Sequence, residues 1–400
     1  MFERLERIPE DPILGLMAAF RADSQPDKVD LGVGVYRDGR GETPVLEAVR
    51  RAERSMLERQ KTKSYVAAGG NPAFNQAMER LAFGEGHPAL TSGRVRTIQG
   101  VGGCGALRLG AELVLAAAPD AVVHVSSPTW VNHRPLLTGC GLKLGHYPYY
   151  DPATGGVRFG AMLESLGALP VGAVVLLHAS CHNPTGADLT EAQWRELLEL
   201  FRRKRLLPFI DMAYQGLGSG LDPDAFAMRL FTAELPEALV AVSCSKNFGI
   251  YRERAGTLHI VADSARAAEV ALTQQVAISR RLYSMPPDHG AAIVAEVLAD
   301  ESLRGLWQRE LGEMRARILE LRRELVRQLQ AHCPERDFGF IAVQKGLFSF
   351  LGVSPEQARA LRTDHHVYLT EDSRINVAGL RSENIESVAR AVASVVRVVR

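Results

Sequence analysis

An α/β fold built on a mostly parallel, doubly wound sheet is predicted by three features of the sequence. Strand-length apolar and β-branched runs recur at Val95 to Ile98, Ala121 to Val125, Ala173 to Leu177, Leu206 to Ile210, Ala238 to Val242 and Thr257 to Val261. Helical patterns lie between several of them, the alternation that builds crossover units. Ala173 to Leu177 and Ala238 to Val242 are apolar throughout, as strands buried on both faces require. The third feature is where the polar chemistry sits, in the turns that follow these runs, and in open α/β sheets ligands bind at the carboxyl ends of strands.

With 400 residues, 46% hydrophobic and 23% charged, the chain is long enough for one large domain and a smaller one. A net charge of +1 gives no reason to expect a nucleic-acid surface, so a small-molecule partner is expected. The five cysteines (Cys104, Cys140, Cys181, Cys244, Cys333) are odd in number, widely spaced and free of CxxC pairs. That usage fits reduced thiols and a cytoplasmic enzyme. No stretch approaches the roughly 18 uninterrupted apolar residues of a membrane span, and the amino terminus is charged from its third residue.

Taken in order, Ile13 to Ala22 reads as a short amphipathic helix with Asp11 and Pro12 at its start. Leu31 to Tyr36 reads as a glycine-laced extended segment, in which Gly32 and Gly34 either admit a ligand close to the backbone or make a tight bend. Thr43 to Glu58 has helical apolar spacing, Tyr65 stands alone in a turn-rich stretch, and a helix follows from Pro72. The Val95 strand then runs into a glycine-rich turn and a helix from Ala106 to Ala118. Such a turn presents N–H groups at a positive helix end, which suits a phosphate. Gly100, Gly102 and Gly105 also satisfy GxGxxG, but Asp120 precedes the next strand instead of following it, so the dinucleotide reading lacks its acidic partner.

Trp130, in the turn after Ala121 to Val125, is either a stacking platform for a planar ring or a surface tryptophan. His178, Cys181 and His182 follow the Ala173 strand, and without a fourth ligand they give no zinc site. Asn183, held extended before Pro184, offers its amide. Thr190 caps the next helix, and Asp211 ends the Leu206 strand as either a cap or a partner for a buried cation. Lys246 follows the Ala238 strand, where a lysine is either an anion's point charge or, if desolvated, an amine nucleophile. A long amphipathic helix from Glu310 to Leu329 leads to short strands at Phe348 to Leu351, Val367 to Leu369 and Ile375 to Val377, with a final helix from Glu383 to Val398.

The strings VDLGVGVYRDG, GGCGALRLGAE, SSPTWVNH, HASCHNPTGADLT, DMAYQG, SCSKNFGIYRERAG, SRRLYSMPP, GLFSF and SRINVAGL together resemble the aspartate and aromatic amino acid aminotransferases, fold-type I enzymes of pyridoxal 5′-phosphate (PLP). The resemblance runs nearly end to end. It implies a large PLP-binding domain (46–312) and a smaller α+β domain made from both chain ends (1–45, with an amino-terminal arm, and 313–400). Lys246 would form the Schiff base, Asp211 would pair with the ring nitrogen, and Asn183 and Tyr214 would bond the ring oxygen. Trp130 would stack on the ring, with His178 near Asp211. Gly102, Gly103, Cys104, Ser243 and Arg254 would cradle the phosphate, joined by Tyr65 from a second subunit of a homodimer.

Arg374 would clamp the substrate α-carboxylate, in a substrate site shared with Gly34, Trp130 and Asn183, and Arg280 of the other subunit would meet a distal carboxylate. The implied reaction moves an amino group from aspartate or an aromatic amino acid to 2-oxoglutarate in a ping-pong cycle. No metal is implied. Departures from the family pattern fall at Cys104 (usually threonine or serine), Met285 (usually asparagine or serine) and His365-His366 (usually Phe-Gly). Val35 and Thr43 look aspartate-type, whereas SCSKNFG also occurs in members that prefer aromatic substrates. The rival readings are a PLP enzyme of another reaction class, such as a β-decarboxylase or lyase, and an NAD-dependent dehydrogenase resting on the glycine pattern alone.

Overall fold

The computed structural model describes residues 1–8 and 11–397, which divide into two compact units. The larger unit comprises Pro44–Ala316 and Gln344–Gly346. Its centre is a seven-stranded sheet in the spatial order Val95–Val101, Ala255–Val261, Ala238–Ser243, Leu207–Met212, Val174–His178, Val122–Ser127, Lys143–Pro148. Every pairing is parallel except the two made by Ala255–Val261, which runs antiparallel to both neighbours. That strand follows Ala238–Ser243 through the helix-free connection 244–254, which returns the chain beside the strand it left and so makes the pair antiparallel.

The central strands are continuously buried, as their apolar sequence requires: Ala238–Ser243 and Ala255–Val261 show no exposed residue. One face of the sheet packs on the Gly102–Ala117 helix through Leu107, Leu109, Ala111 and Val114, against Val125, Leu176, Phe209, Ala241 and Leu258. Gly110 lies against Phe209 so closely that an added Cβ would stand 2.5 Å from the ring. The helix Glu191–Lys204 carries a full capping box between Thr190 and Gln193. The edge strand Lys143–Pro148 and the helices Ala265–Tyr283, Asp288–Ala299 and Pro355–His365 are elements that the sequence reading did not place.

The smaller unit comprises Met1–Thr43, Arg317–Val343 and Leu347–Arg400. Its core gathers Val29, Leu31, Leu325, Leu329, Phe338, Leu361, Ile375 and Val392. Val29–Asp30 pairs in parallel with Val367–Tyr368, and Phe348–Phe350 antiparallel with Arg374–Asn376. The last helix, Ile385–Arg397, buries Ile385, Val388, Ala389, Val392 and Val395 on one stripe; the expected end at Val398 lies outside the described residues. The amphipathic run expected from Glu310 to Leu329 is part of a longer helix, Glu301–His332.

One local expectation is corrected. Leu31 to Tyr36 is not an extended strand, because the ladder stops at Asp30 and the chain bends. The Asp30 carboxylate takes the N–H groups of Gly32 and Val33, and Asn376 takes the carbonyls of Val33 and Val35. Side chains have replaced the sheet partners that an extended segment needs.

Candidate active site

At the carboxyl ends of the parallel strands of the larger unit, a cavity of about 360 Å³ is lined by Gly103, Cys104, Trp130, His178, Asn183, Asp211, Tyr214, Ser243, Lys246 and Arg254, among others. Register explains how distant residues meet there. His178 pairs with Asp211 across adjacent strands, Asp211 with Ala241, and Ser243 with Gly256. His178, Asp211 and Ser243 are therefore carried on rigid strand ends, and Trp130, Asn183, Tyr214, Lys246 and Arg254 stand in the turns beyond the strands.

Asp211 is the electrostatic centre. His133 Nε2–H donates to its Oδ2 at 3.2 Å, and Thr129 Oγ1 meets the other ring nitrogen of His133 at 2.7 Å. Burial raises the Asp211 carboxyl, but the His133 hydrogen bond, together with the electrostatic influence of the groups around it, Lys246 among them, outweighs it and holds the group below its ordinary range. The aspartate is thus kept ionised in a buried place. Lys246 shows the complementary effect, because burial lowers its amine, Asp211 opposes that, and Arg254 adds to it. Its Nζ lies 5.1 Å from the centre of the Tyr214 ring.

The floor of the cavity is a glycine cradle. Gly102 starts a sixteen-residue helix at φ +64, a left-handed conformation that glycine adopts without strain. A Cβ there would stand 2.4 Å from Arg254 Nη2, and one on Gly103 would stand 2.8 Å from Ser243 Cβ. The Gly102 N–H donates to the Arg254 carbonyl at 2.7 Å, tying the guanidinium's backbone to the helix start. Arg254 itself is held at φ +52, and its Nη1 bonds Ser245 Oγ and the Tyr251 carbonyl. A cation beside a positive helix end, packed directly on glycine backbone with a serine beside it, suits an anion such as a phosphate.

Above the cradle, His178 Nε2 and Asn183 Oδ1 are buried and make no hydrogen bond among the described residues, while Asn183 Nδ2 donates to the Tyr214 hydroxyl at 3.4 Å. Burial and the neighbouring His133 push His178 down to about 3, so its ring is neutral. Such a set suits a flat, polar-edged ring whose nitrogen faces Asp211. One nitrogen each of His133 and His178 and one oxygen of Asp211 lie within 4.8 Å of one another, a group whose donors could also hold a metal ion. His182 is committed elsewhere, its two ring nitrogens meeting Ser126 Oγ at 3.0 Å and Thr185 Oγ1 at 2.9 Å.

The remaining expected site residues are placed apart from this cavity's lining. Tyr65 is 92% exposed on the segment between the helices Glu47–Arg59 and Pro72–Phe83. Arg280 lies near the end of the helix Ala265–Tyr283, bonded to Ser284 Oγ, and the adjacent Arg281 is 3.7 Å from Glu112. In the smaller unit, the buried Arg374 donates from Nη2 to the Gly32 carbonyl at 2.7 Å, and its guanidinium lies 4.5 Å from the centre of the Phe348 ring, which also packs on Gly34. His133 is the residue that sequence reasoning missed. The signal was its place three residues after Trp130, whose ring it meets edge-on at 5.2 Å.

Fold and site together define a class, an α/β enzyme that gathers a desolvated lysine, an ionised aspartate and a phosphate cradle in one cavity. The family model described as aminotransferase class I and II matches residues 26–392, and the chain belongs to that family. It is 46% identical to the aromatic-amino-acid aminotransferase of Pseudomonas aeruginosa, over 98% of each chain. It is 44% identical to the aspartate aminotransferase of the same organism, over 99% of each. Among solved structures, an aromatic-amino-acid aminotransferase from Burkholderia pseudomallei covalently bound to pyridoxal phosphate is similar over 99% of both chains, with 45% identity and a TM-score of 0.96.

Proposed function

We propose that this protein is a PLP-dependent aminotransferase that moves the α-amino group of aspartate, of aromatic amino acids or of both to 2-oxoglutarate in a two-stage, ping-pong cycle. The observation that carries the reading is Lys246, desolvated and flanked by Asp211 and Arg254 above the glycine cradle. The residues fit PLP. The glycine cradle with Arg254 and Ser243 against it matches its phosphate, Asp211 its ring nitrogen, and the donors Asn183 Nδ2 and the Tyr214 hydroxyl, 3.4 Å apart, its ring oxygen.

Bound there, PLP supplies an electron sink for charge developing at the substrate's α-carbon. The chain's own groups do the rest. Lys246 provides the amine that holds the cofactor and carries the proton to and from the α-carbon. Asp211, kept ionised by His133, holds a proton on the ring nitrogen. Tyr214 and Asn183 steady the ring oxygen and Trp130 covers a ring face. Gly102, Gly103, Cys104, Ser243 and Arg254 bind the phosphate. Arg374 clamps the α-carboxylate in a planar fork beside Gly34.

The enzyme acts as a homodimer in which Tyr65 and Arg280 of one subunit serve the phosphate and the distal carboxylate in the other. The exposure of Tyr65, 92% accessible within one subunit, supports its reaching another. Five widely spaced cysteines without a CxxC pair support a cytoplasmic setting, and among the described residues no helix is long and apolar enough to cross a membrane.

The test is a spectrum and a donor series. The purified protein should show a visible-region cofactor band that borohydride abolishes together with activity. It should form glutamate from 2-oxoglutarate with aspartate, tyrosine or phenylalanine. A colourless protein that binds NAD would overturn the reading.

A further inference from the structure

Within the smaller unit, Arg374 is held by backbone that the sequence offers little reason to expect. Its Nη2 donates to the Gly32 carbonyl at 2.7 Å, and the direction of that carbonyl is set by the bend at Asp30. Asp30 is 6% exposed, and its Oδ1 accepts from the N–H groups of Gly32 at 2.9 Å and Val33 at 3.3 Å. Its other oxygen is ion-paired with Arg37 Nη2. The pair closes the loop on itself, because Asp30 precedes the bend and Arg37 follows it. On the far side, Asn376 Nδ2 holds the Val33 and Val35 carbonyls, each at 2.7 Å.

Space reinforces this. A Cβ on Gly32 would stand 2.2 Å from Leu16, and one on Gly34 2.8 Å from the Phe348 ring, the same ring that carries the Arg374 guanidinium. The peptide of Gly32 is therefore clamped from above and below, and its orientation rests on the Asp30 side chain. A guanidinium presents its donors in a fixed plane, so fixing one N–H on a carbonyl and one face on a ring sets the rotation of the whole fork.

We propose that Asp30, paired with Arg37, is a positioning residue for substrate carboxylate recognition, aiming the Arg374 fork through the Gly32 carbonyl. The inference rests on the reading of Arg374 as the α-carboxylate clamp, and it adds to that reading a residue pair that never touches substrate. A loop without the Asp30 carboxylate keeps Arg374 in place but lets the fork turn.

The test is steady-state kinetics on the holoenzyme with aspartate and 2-oxoglutarate. Asp30→Ala should raise KM for both substrates roughly tenfold, the scale of a hydrogen bond to a charged group, with kcat and bound PLP changed less than about twofold. Arg374→Lys should raise both KM values more. In that background, Asp30→Ala should add less than about a further twofold, because residues acting through one group are not additive. A full additional tenfold in the Arg374→Lys background, or a fall in kcat with KM unchanged, overturns the positioning role. An Arg374→Lys enzyme with ordinary KM overturns the clamp reading itself, a result distinct from either. Should Asp30→Ala fail to fold, Asp30→Asn keeps an acceptor for the Gly32 N–H and removes only the charge pairing with Arg37. It should show an intermediate rise in KM, and an unchanged KM in folded Asp30→Asn overturns the proposal.

Discussion

His133 Nε2 lies 3.2 Å from Asp211 Oδ2 although the two residues are 78 apart in sequence. The histidine is fully buried, and its hydrogen bond works against the burial that raises the aspartate's carboxyl. Replacing His133 with alanine should raise the Asp211 carboxyl and weaken its hold on the ring nitrogen. A hydrogen bond to a charged group contributes about 1.5–3 kcal/mol, so kcat/KM should fall by roughly 10- to 150-fold. The acid limb of the pH–rate profile should move upward. An unaltered profile together with unaltered kcat/KM would remove His133 from the machinery.

Lys246→Ala should abolish most transamination, since loss of a positioned acid–base group alone costs roughly 10²- to 10⁴-fold. The cradle around Gly102, Gly103 and Arg254 remains, so the variant should still bind PLP without a covalent bond. Ordinary turnover in this variant would refute the role of Lys246.

Two substitutions in the cradle should move cofactor affinity in opposite directions. Gly103→Ala places a methyl 2.8 Å from Ser243 Cβ, and overpacking of this kind typically costs about 1–3 kcal/mol. The PLP dissociation constant should rise. Cys104→Thr replaces a thiol, now accepting from Asn132 Nδ2 at 3.4 Å, with a hydroxyl. One neutral hydrogen bond contributes about 1 kcal/mol, so the constant should fall by roughly fivefold. Equilibrium dialysis of both variants measures each shift, and no tightening in Cys104→Thr would show that the thiol already serves the phosphate as well.

Stability should fall with acid before the carboxylates titrate. Burial lowers His178 and His259 to about 3 and His182 well below its ordinary value. The folded state keeps these rings neutral, whereas the unfolded chain protonates them below pH 6.5. The unfolded state therefore binds more protons, and the stability these rings contribute above pH 6.5 is lost progressively as pH falls toward 3. Urea unfolding across pH 7 to 4 should show proton uptake that His259→Gln reduces by about one proton in the pH 5 region. An unchanged slope in that variant would count against a neutral, buried His259.

Much of the fold was legible because apolar runs and caps are local signals. Ala238 to Val242 and Ala173 to Leu177 became strands within a residue of their expected bounds. Thr190 became the cap of the next helix through a local four-residue pattern. Lys143–Pro148 escaped notice because an edge strand alternates polar and apolar residues too weakly over six positions. The helix expected from Ala106 begins at Gly102, since glycine's poor propensity hides the start of its first turn.

By itself, then, the sequence determined the strands, the strand-end placement of Asp211 and Lys246, and the glycine turn, each being a property of a few neighbouring residues. Only the tertiary structure decided that His133 faces Asp211, that Arg254 and Ser243 close against Gly102 and Gly103, and that Asp30 sets the carbonyl under Arg374. These relations join residues far apart in the chain, and strand register and close backbone packing select the pairs that meet.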